Sequence, residues 1–261
     1  DTARLVHRSE GGQGYSLVDV NRSGTPLMEI VSEPDMRSPT EAREYLMRLR
    51  QILRYLRVSH ANMEEGNFRC DANVSLRPVG TTALGTKVEI KNLHSFRNVQ
   101  HALEYEVGRQ ARALDAGERI VQETRLWDPE HLRTVSMRSK EFAHDYRYFP
   151  EPDLPPLDLP APWVEEIRAG QPELPAARRR RFVDAHGLTA HEAELLCQGR
   201  GLADYFEAAV RAHPRPKAVA NWVLNELLRE LPGDDDRAIA ACPIPPASLG
   251  GLLALVEDGT I

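Results

Sequence analysis

Residues 68–77 alternate without a break: Phe68, Cys70, Ala72, Val74 and Leu76 fall on one side, and Arg69, Asp71, Asn73, Ser75 and Arg77 on the other. A period of two marks a strand with one packed face and one polar face. Residues 86–91 repeat the pattern, with Val88 and Ile90 opposing Lys87, Glu89 and Lys91, after a connection containing Pro and Gly that suits a hairpin. If the two segments pair, Asp71 and Glu89 share one basic surface. Residues 121–127 and 134–138 flank Asp128-Pro129-Glu130 and predict a second hairpin. Residues 26–31, PLMEIV, are short and apolar between Gly24 and Pro34, and read as a buried strand interrupted by the single carboxylate of Glu29.

Between these segments the period changes to that of a helix. Ser38 as N-cap, Pro39 at the first helical position and Glu41 three residues on form a start signal. Ala42, Tyr45, Leu46, Leu49, Ile52, Leu53 and Leu56 then make one apolar stripe. A second helix is predicted over 95–116, with Phe96, Val99, Leu103, Val107 and Leu114 inward and Gly117 as its stop. Six prolines between Tyr148 and Pro162 favour extended backbone and place a domain junction there. Beyond it the pattern is helical only: a start near Pro175, a capping box from Thr189 to Glu192, and apolar positions Val219, Trp222, Val223, Leu227 and Leu228. The expected architecture is α+β with an antiparallel sheet over 1–158, followed by an all-α helical domain over 159–261.

Composition narrows the class. The chain has 261 residues, 41% hydrophobic and 28% charged, as in a globular protein large enough for two compact units. No apolar run approaches the roughly 20 residues of a membrane span, and no signal peptide opens the chain, so a cytoplasmic location is expected. Cys70, Cys197 and Cys242 are scattered, which suggests neither a disulfide framework nor a zinc knuckle. The net charge of −6 argues against nonspecific coating of nucleic acid, and the basic run 178–181 reads as a solvated helix face. The chain begins without Met and is expected to be a piece of a longer polypeptide.

The chemistry resides in the polar strand faces. The segment GTTALGTK, 80–87, approaches a phosphate-binding glycine loop, but Thr86 displaces the lysine and the segment joins two strands rather than a strand and a helix. Glu29, Asp71 and Glu89, on three predicted strands, can supply part of an oxygen shell for Mg²⁺, which also uses waters and substrate phosphates. Arg69, Lys87 and Lys91 on the same face, and Arg125, Arg138 and Lys140 from the second hairpin, are candidates to neutralise phosphate. HDYRY, 144–148, mixes groups able to stack on a base or to pack at the junction. From the residues alone two readings stand: a metal–nucleotide site, or a solvated sheet face laced with ion pairs.

Longer motifs carry a resemblance. SLVDVNRSGTPLMEIVSEPD from Ser16, NMEEGNFRCDANVSLRP from Asn62, GTKVEIKNLHSFRNV from Gly85, QETRLWD from Gln122 and MRSKEFAHDYRYFPEPDLPPL from Met137 resemble the B-subunit family of the glutamine-dependent aspartyl/glutamyl-tRNA amidotransferases. PELPAARRRRF, PKAVANWVLNELL and LVEDGTI extend the resemblance through the helical half. It implies a catalytic cradle domain with a glutamine-synthetase-like core, a helical domain and a further tail domain. It also implies ATP and Mg²⁺ as cofactors, misacylated tRNA(Gln) or tRNA(Asn) as substrate, and a glutaminase A subunit and a small C subunit as partners. The implied reaction phosphorylates the side-chain carboxylate of Glu or Asp on tRNA and displaces phosphate with ammonia. The resemblance implies that Glu29, Asp71 and Glu89 belong to the family's metal and phosphorylation site. His94 stands where the family usually has Asn, and Gly11 to Gly14 reads as a loop insertion. The rival expectation is a noncatalytic tRNA-binding scaffold.

Overall fold

The computed structural model describes residues 4–10, 13–21, 23–137, 155–231 and 236–261. It divides into two compact units, Asp1–Arg37 and Ser38–Ile261. The first holds an antiparallel hairpin of β1 (Arg4–Glu10) and β2 (Gln13–Asp19), with Arg4 opposite Asp19 and Glu10 opposite Gln13. Gln13 and Gly14, expected in a loop, are strand residues. The strand expected at 26–31 does not form: the segment is irregular, and Leu27, Met28 and Val31 are exposed at 72%, 61% and 81%. An apolar run becomes a buried strand only beside a neighbour that pairs with it and covers it, and a unit this small has little core to offer.

The second unit opens with α1 (Pro39–Tyr55), whose N-cap Ser38 accepts a hydrogen bond from the Glu41 amide. The sheet order is β3 (Ala72–Val74), β4 (Val88–Lys91), β5 (Thr124–Asp128), β6 (Arg133–Ser136). The outer pairs are antiparallel, as predicted, but β4 and β5 run parallel. The expectation of a purely antiparallel sheet is corrected by what lies between those strands. The 20-residue α2 (Phe96–Asp115), about 30 Å long, returns the chain to the end at which β4 began. Ser95 caps α2, and Gly117, at φ 77°, takes the left-handed conformation that ends it.

One side of the sheet packs on the two helices. Ile90, Leu93 and Trp127 from the sheet region meet Leu46, Val99, Ala102 and Leu103, with Phe68, Cys70, Ala72 and Val74 partly buried against them. The predicted inward side of 68–77 is thus the packed side, although only its centre has ladder pairing. From Ala161 onward the elements are helical: α3 (Ala161–Ala169), α4 (Pro175–His186), α5 (Ala190–Leu196), α6 (Arg200–Ala212) and α7 (Pro216–Trp222). A π-helical turn (Val223–Leu227), α8 (Leu228–Glu230), α9 (Asp236–Ala240) and α10 (Pro246–Glu257) complete them. Their core centres on Phe182, Leu196, Phe206, Val219 and Val223. No helix among the described residues is long and apolar enough to cross a membrane.

Candidate active site

Strand register decides which side chains share a face. Asn73 and Thr124 both lie opposite Glu89, one on each neighbouring strand, while Ala72 and Arg125 lie opposite Ile90. Successive residues point to opposite faces, so Asn73, Glu89 and Thr124 line the open side, and Ile90 and Arg125 the side packed on α2. Asp71, just before β3, and Lys91, at the end of β4, join the open side. Lys91 Nζ donates to Asp71 Oδ2 at 3.0 Å and lies 3.5 Å from Glu89 Oε1. Thr124 Oγ1 donates to Glu89 Oε2 at 2.8 Å. A continuous polar chain, Thr124 to Glu89 to Lys91 to Asp71, therefore crosses three strands. The Asp71 hydrogen bond, followed by the charges of Asp71 and Glu89, holds the Lys91 ammonium above the ordinary lysine range despite partial desolvation.

Three of the sequence candidates, Asp71, Glu89 and Lys91, are thus brought together. Lys87 is exposed just before β4, and exposed Arg69 donates from Nε to the Gly66 carbonyl. Glu29 lies in the other unit, exposed within 26–31. Arg138 and Lys140 lie outside the described residues, as does HDYRY, 144–148. Among the described residues no group of three or more His, Cys, Asp or Glu side chains is disposed to hold a metal ion. What the open face offers is two carboxylates that reach one ammonium.

Arg125, the described candidate from the second hairpin, lies apart from these three. It faces α2, where Nε donates to Thr134 Oγ1 at 2.8 Å, one terminal nitrogen to Glu123 at 2.6 Å and the other to the Thr134 carbonyl at 2.9 Å. Wholly buried Glu106 completes this network, accepting from Arg109, Gln110 and Thr134. In this arrangement Arg125 anchors β5 on the packed side of the sheet, away from Asp71, Glu89 and Lys91; a strand residue next to a front-facing one must point to the back. Three of the four arginines of the basic run likewise pair with acids, Arg178 with Asp204 and Glu207, Arg179 with Glu194, and Arg181 with Glu173 and Glu207, while Arg180 is exposed.

The near-miss phosphate loop is accounted for by backbone packing. A Cβ at Gly85 would run into the Leu76 carbonyl oxygen, so glycine is required there for the close approach of two chain segments. Glu65 fastens its own loop by accepting from Asn62 and Asn67. Burial pushes the Cys70 and Cys197 thiols up to about 11, which leaves both protonated and unreactive at neutral pH. A cleft of about 640 Å³ in the helical half, lined by His213, Arg215, Lys217, Trp222, Leu253 and Glu257 among others, contains none of the candidate acids.

The residue missed in the sequence is Thr124. QETRLWD shows the alternation that sends Thr124 and Arg125 to opposite faces, but only the parallel register of β4 and β5 places Thr124 beside Glu89.

Comparison with known proteins agrees with the motif resemblance. Residues 1–165 match the family model described as the GatB/GatE catalytic domain, and residues 204–261 match one described as a GatB domain. Proteins named as the B subunit of aspartyl/glutamyl-tRNA(Asn/Gln) amidotransferase are similar over the whole chain. The one from Carboxydothermus hydrogenoformans is 55% identical over 262 residues, covering 100% of this chain and 54% of the relative. The one from Dehalococcoides mccartyi strain CBDB1 is 55% identical over 273 residues, covering 100% and 55%. The one from Geobacter sp. strain M21 is 52% identical over 261 residues, covering 100% and 54%. The chain therefore spans about half the length of the curated relatives it matches.

Proposed function

The chain belongs to the GatB/GatE family, and from that premise we propose that it carries the ATP-dependent amidation chemistry of a tRNA amidotransferase. In this reading the side-chain carboxylate of Glu or Asp esterified to tRNA(Gln) or tRNA(Asn) attacks the γ-phosphorus of ATP, giving an acyl phosphate and ADP. Ammonia then attacks the acyl carbon, phosphate leaves, and an amide forms with loss of a proton. A glutaminase A subunit supplies the ammonia, a small C subunit completes the assembly, and the complex works in the cytoplasm on a cradle with a glutamine-synthetase-like core. The domain division belongs to the same proposal: a catalytic domain over 1–158 and a helical domain over 159–261.

The observation that carries the reading is the convergence of Asp71, Glu89 and Lys91 on one open face, within the segment matched by the catalytic-domain model. The donor set fits a hard divalent cation. Two carboxylates already reach a common point, and Mg²⁺ uses one or two carboxylates together with waters and substrate phosphates. When bound, the cation supplies charge neutralisation to the transferring phosphoryl group. Asp71 and Glu89 would hold it; Lys91, which pairs with both carboxylates, would bind phosphate oxygens as a mobile point charge. Glu29 is assigned to this chemistry on its PLMEIV motif alone, and Arg69 and Lys87 to phosphate binding on their neighbouring positions.

The test supplies ammonium in place of glutamine to the complete complex and follows ADP and amidated aminoacyl-tRNA. Asp71→Asn and Glu89→Gln are each expected to remove both products; undiminished products in both would overturn the reading. Glu29→Gln is expected to abolish tRNA-dependent ADP formation, and normal activity would remove Glu29 from the mechanism. A scaffold would instead tolerate the neutralised carboxylates and lose tRNA affinity on Arg→Ala changes, with strong salt dependence.

A further inference from the structure

We infer that Thr124 is a positioning residue for the Glu89 carboxylate. A glutamate on an exposed sheet face has three side-chain torsions and, left to itself, samples many rotamers. Here one oxygen is fixed: Thr124 Oγ1 donates to Glu89 Oε2 at 2.8 Å from the position directly opposite on the parallel strand. With Oε2 held on the β5 side, Oε1 is turned the other way, to 3.5 Å from Lys91 Nζ and hence toward Asp71. The hydroxyl thus selects the rotamer in which the two carboxylates share one cation.

Thr124 is itself held from behind. Adjacent Arg125 is clamped to Thr134, Glu123 and Glu106 on the opposite side of the sheet, which fixes the register of β5 and leaves Thr124 facing Glu89. Threonine is suited to the role because branching at Cβ restricts χ1. The inference rests on the reading of Glu89 given under the proposed function.

The experiment compares Thr124→Val, Thr124→Ser, Glu89→Gln and the Thr124→Val/Glu89→Gln double variant in the full-length protein within its complex. Mn²⁺ binding is followed by the electron paramagnetic resonance of the free ion, and the KM for ATP and kcat of ammonium-supported ADP formation are measured alongside. Thr124→Val keeps the branched shape and removes the donor, and is expected to weaken Mn²⁺ binding about tenfold, the usual effect of removing an outer-shell partner. Thr124→Ser keeps the hydroxyl and is expected to restore affinity and KM toward wild type. Glu89→Gln is expected to lose affinity, and adding Thr124→Val to it to cost nothing more, because the hydroxyl acts through that carboxylate.

If Glu89→Gln binds Mn²⁺ and forms ADP as wild type does, the reading of Glu89 falls and the inference with it. If Glu89→Gln is defective while Thr124→Val is indistinguishable from wild type, or if the two losses add, the positioning role alone is overturned. Should the valine variant fail to fold, Thr124→Ser against Thr124→Ala provides the same comparison, since only serine retains the donor.

Discussion

Glu106, behind the sheet, accepts hydrogen bonds from three side chains. It is fully buried, and burial alone would push its carboxyl up; hydrogen bonds from Arg109, Gln110 and Thr134 outweigh that and hold it below the usual carboxylate range. Glu194 and Glu207 are depressed in the same way, against their own burial, Glu194 by Arg48 and Arg179 and Glu207 by Arg181 and Arg178. A carboxyl whose folded pKa lies below its unfolded value stabilises the fold above the unfolded pKa. That stability disappears as pH falls through the folded pKa. Stability is therefore expected to be flat above about pH 5 and to drop steadily below about pH 4, as followed by urea midpoints across that range. Glu106→Gln leaves Arg109 and Arg125 facing a buried site without its charge, and is expected to cost about 3 kcal/mol at neutral pH. The gap from wild type should narrow in acid, where the wild-type carboxyl is also neutral.

Two neighbouring glycines in α10 have opposite roles at the scale of the element. A Cβ on Gly250 would come within 2.6 Å of Ala212 Cβ at the end of α6, whereas one on Gly251 would meet nothing within 4 Å. Gly250 allows α10 to lie close against α6. Gly250→Ala is therefore expected to destabilise the helical half by about 1–3 kcal/mol through overpacking. Gly251→Ala is expected to stabilise it by up to about 1 kcal/mol, because alanine is the better helix former at an open position. Chemical denaturation of the pair separates close packing from helix propensity, and equal effects would refute the assignment. The basic run 178–181 illustrates the same point: it reads as a solvated face in sequence, yet three of its four arginines pair with acids of α5, α6 and the residues before α4.

Within Ser38–Ile261, α1 joins the sheet half to the helical half. The buried Tyr55 hydroxyl donates to the Cys197 carbonyl at 2.8 Å, Gln51 donates to the same carbonyl at 2.6 Å, and Arg48 and Arg179 both meet Glu194. The Cys197 carbonyl ends α5, where helix carbonyls lack intrahelical donors, so α1 supplies what that end needs. Tyr55→Phe with Gln51→Leu is expected to remove both donors and cost about 2 kcal/mol in total. Calorimetry is expected to show one transition for the unaltered protein's Ser38–Ile261 unit and two for this variant, and a single transition shifted as a whole would show that packing, not these bonds, couples the halves.

The order of alternation and helical period, with a cap at Ser38, a start near Ser95 and a stop at Gly117, determined by local physics where α1, α2 and β3 to β6 lie, whereas the β1–β2 hairpin was not foreseen. The acids Asp71 and Glu89 were legible for the same reason, since a period of two assigns faces without knowledge of neighbours. The apolar run 26–31 was misread because composition records what a segment could bury, whereas a partner strand decides whether it is buried. The face taken by Arg125 was not legible, because charge alone does not say where a strand residue points once register is set by β4. Tertiary structure alone decided that β4 and β5 run parallel, that Thr124 meets Glu89, and that Glu106 closes the network behind them. The Thr124–Glu89 bond joins residues 35 apart and the Thr134–Glu106 bond residues 28 apart, and no local pattern encodes the register that brings them together.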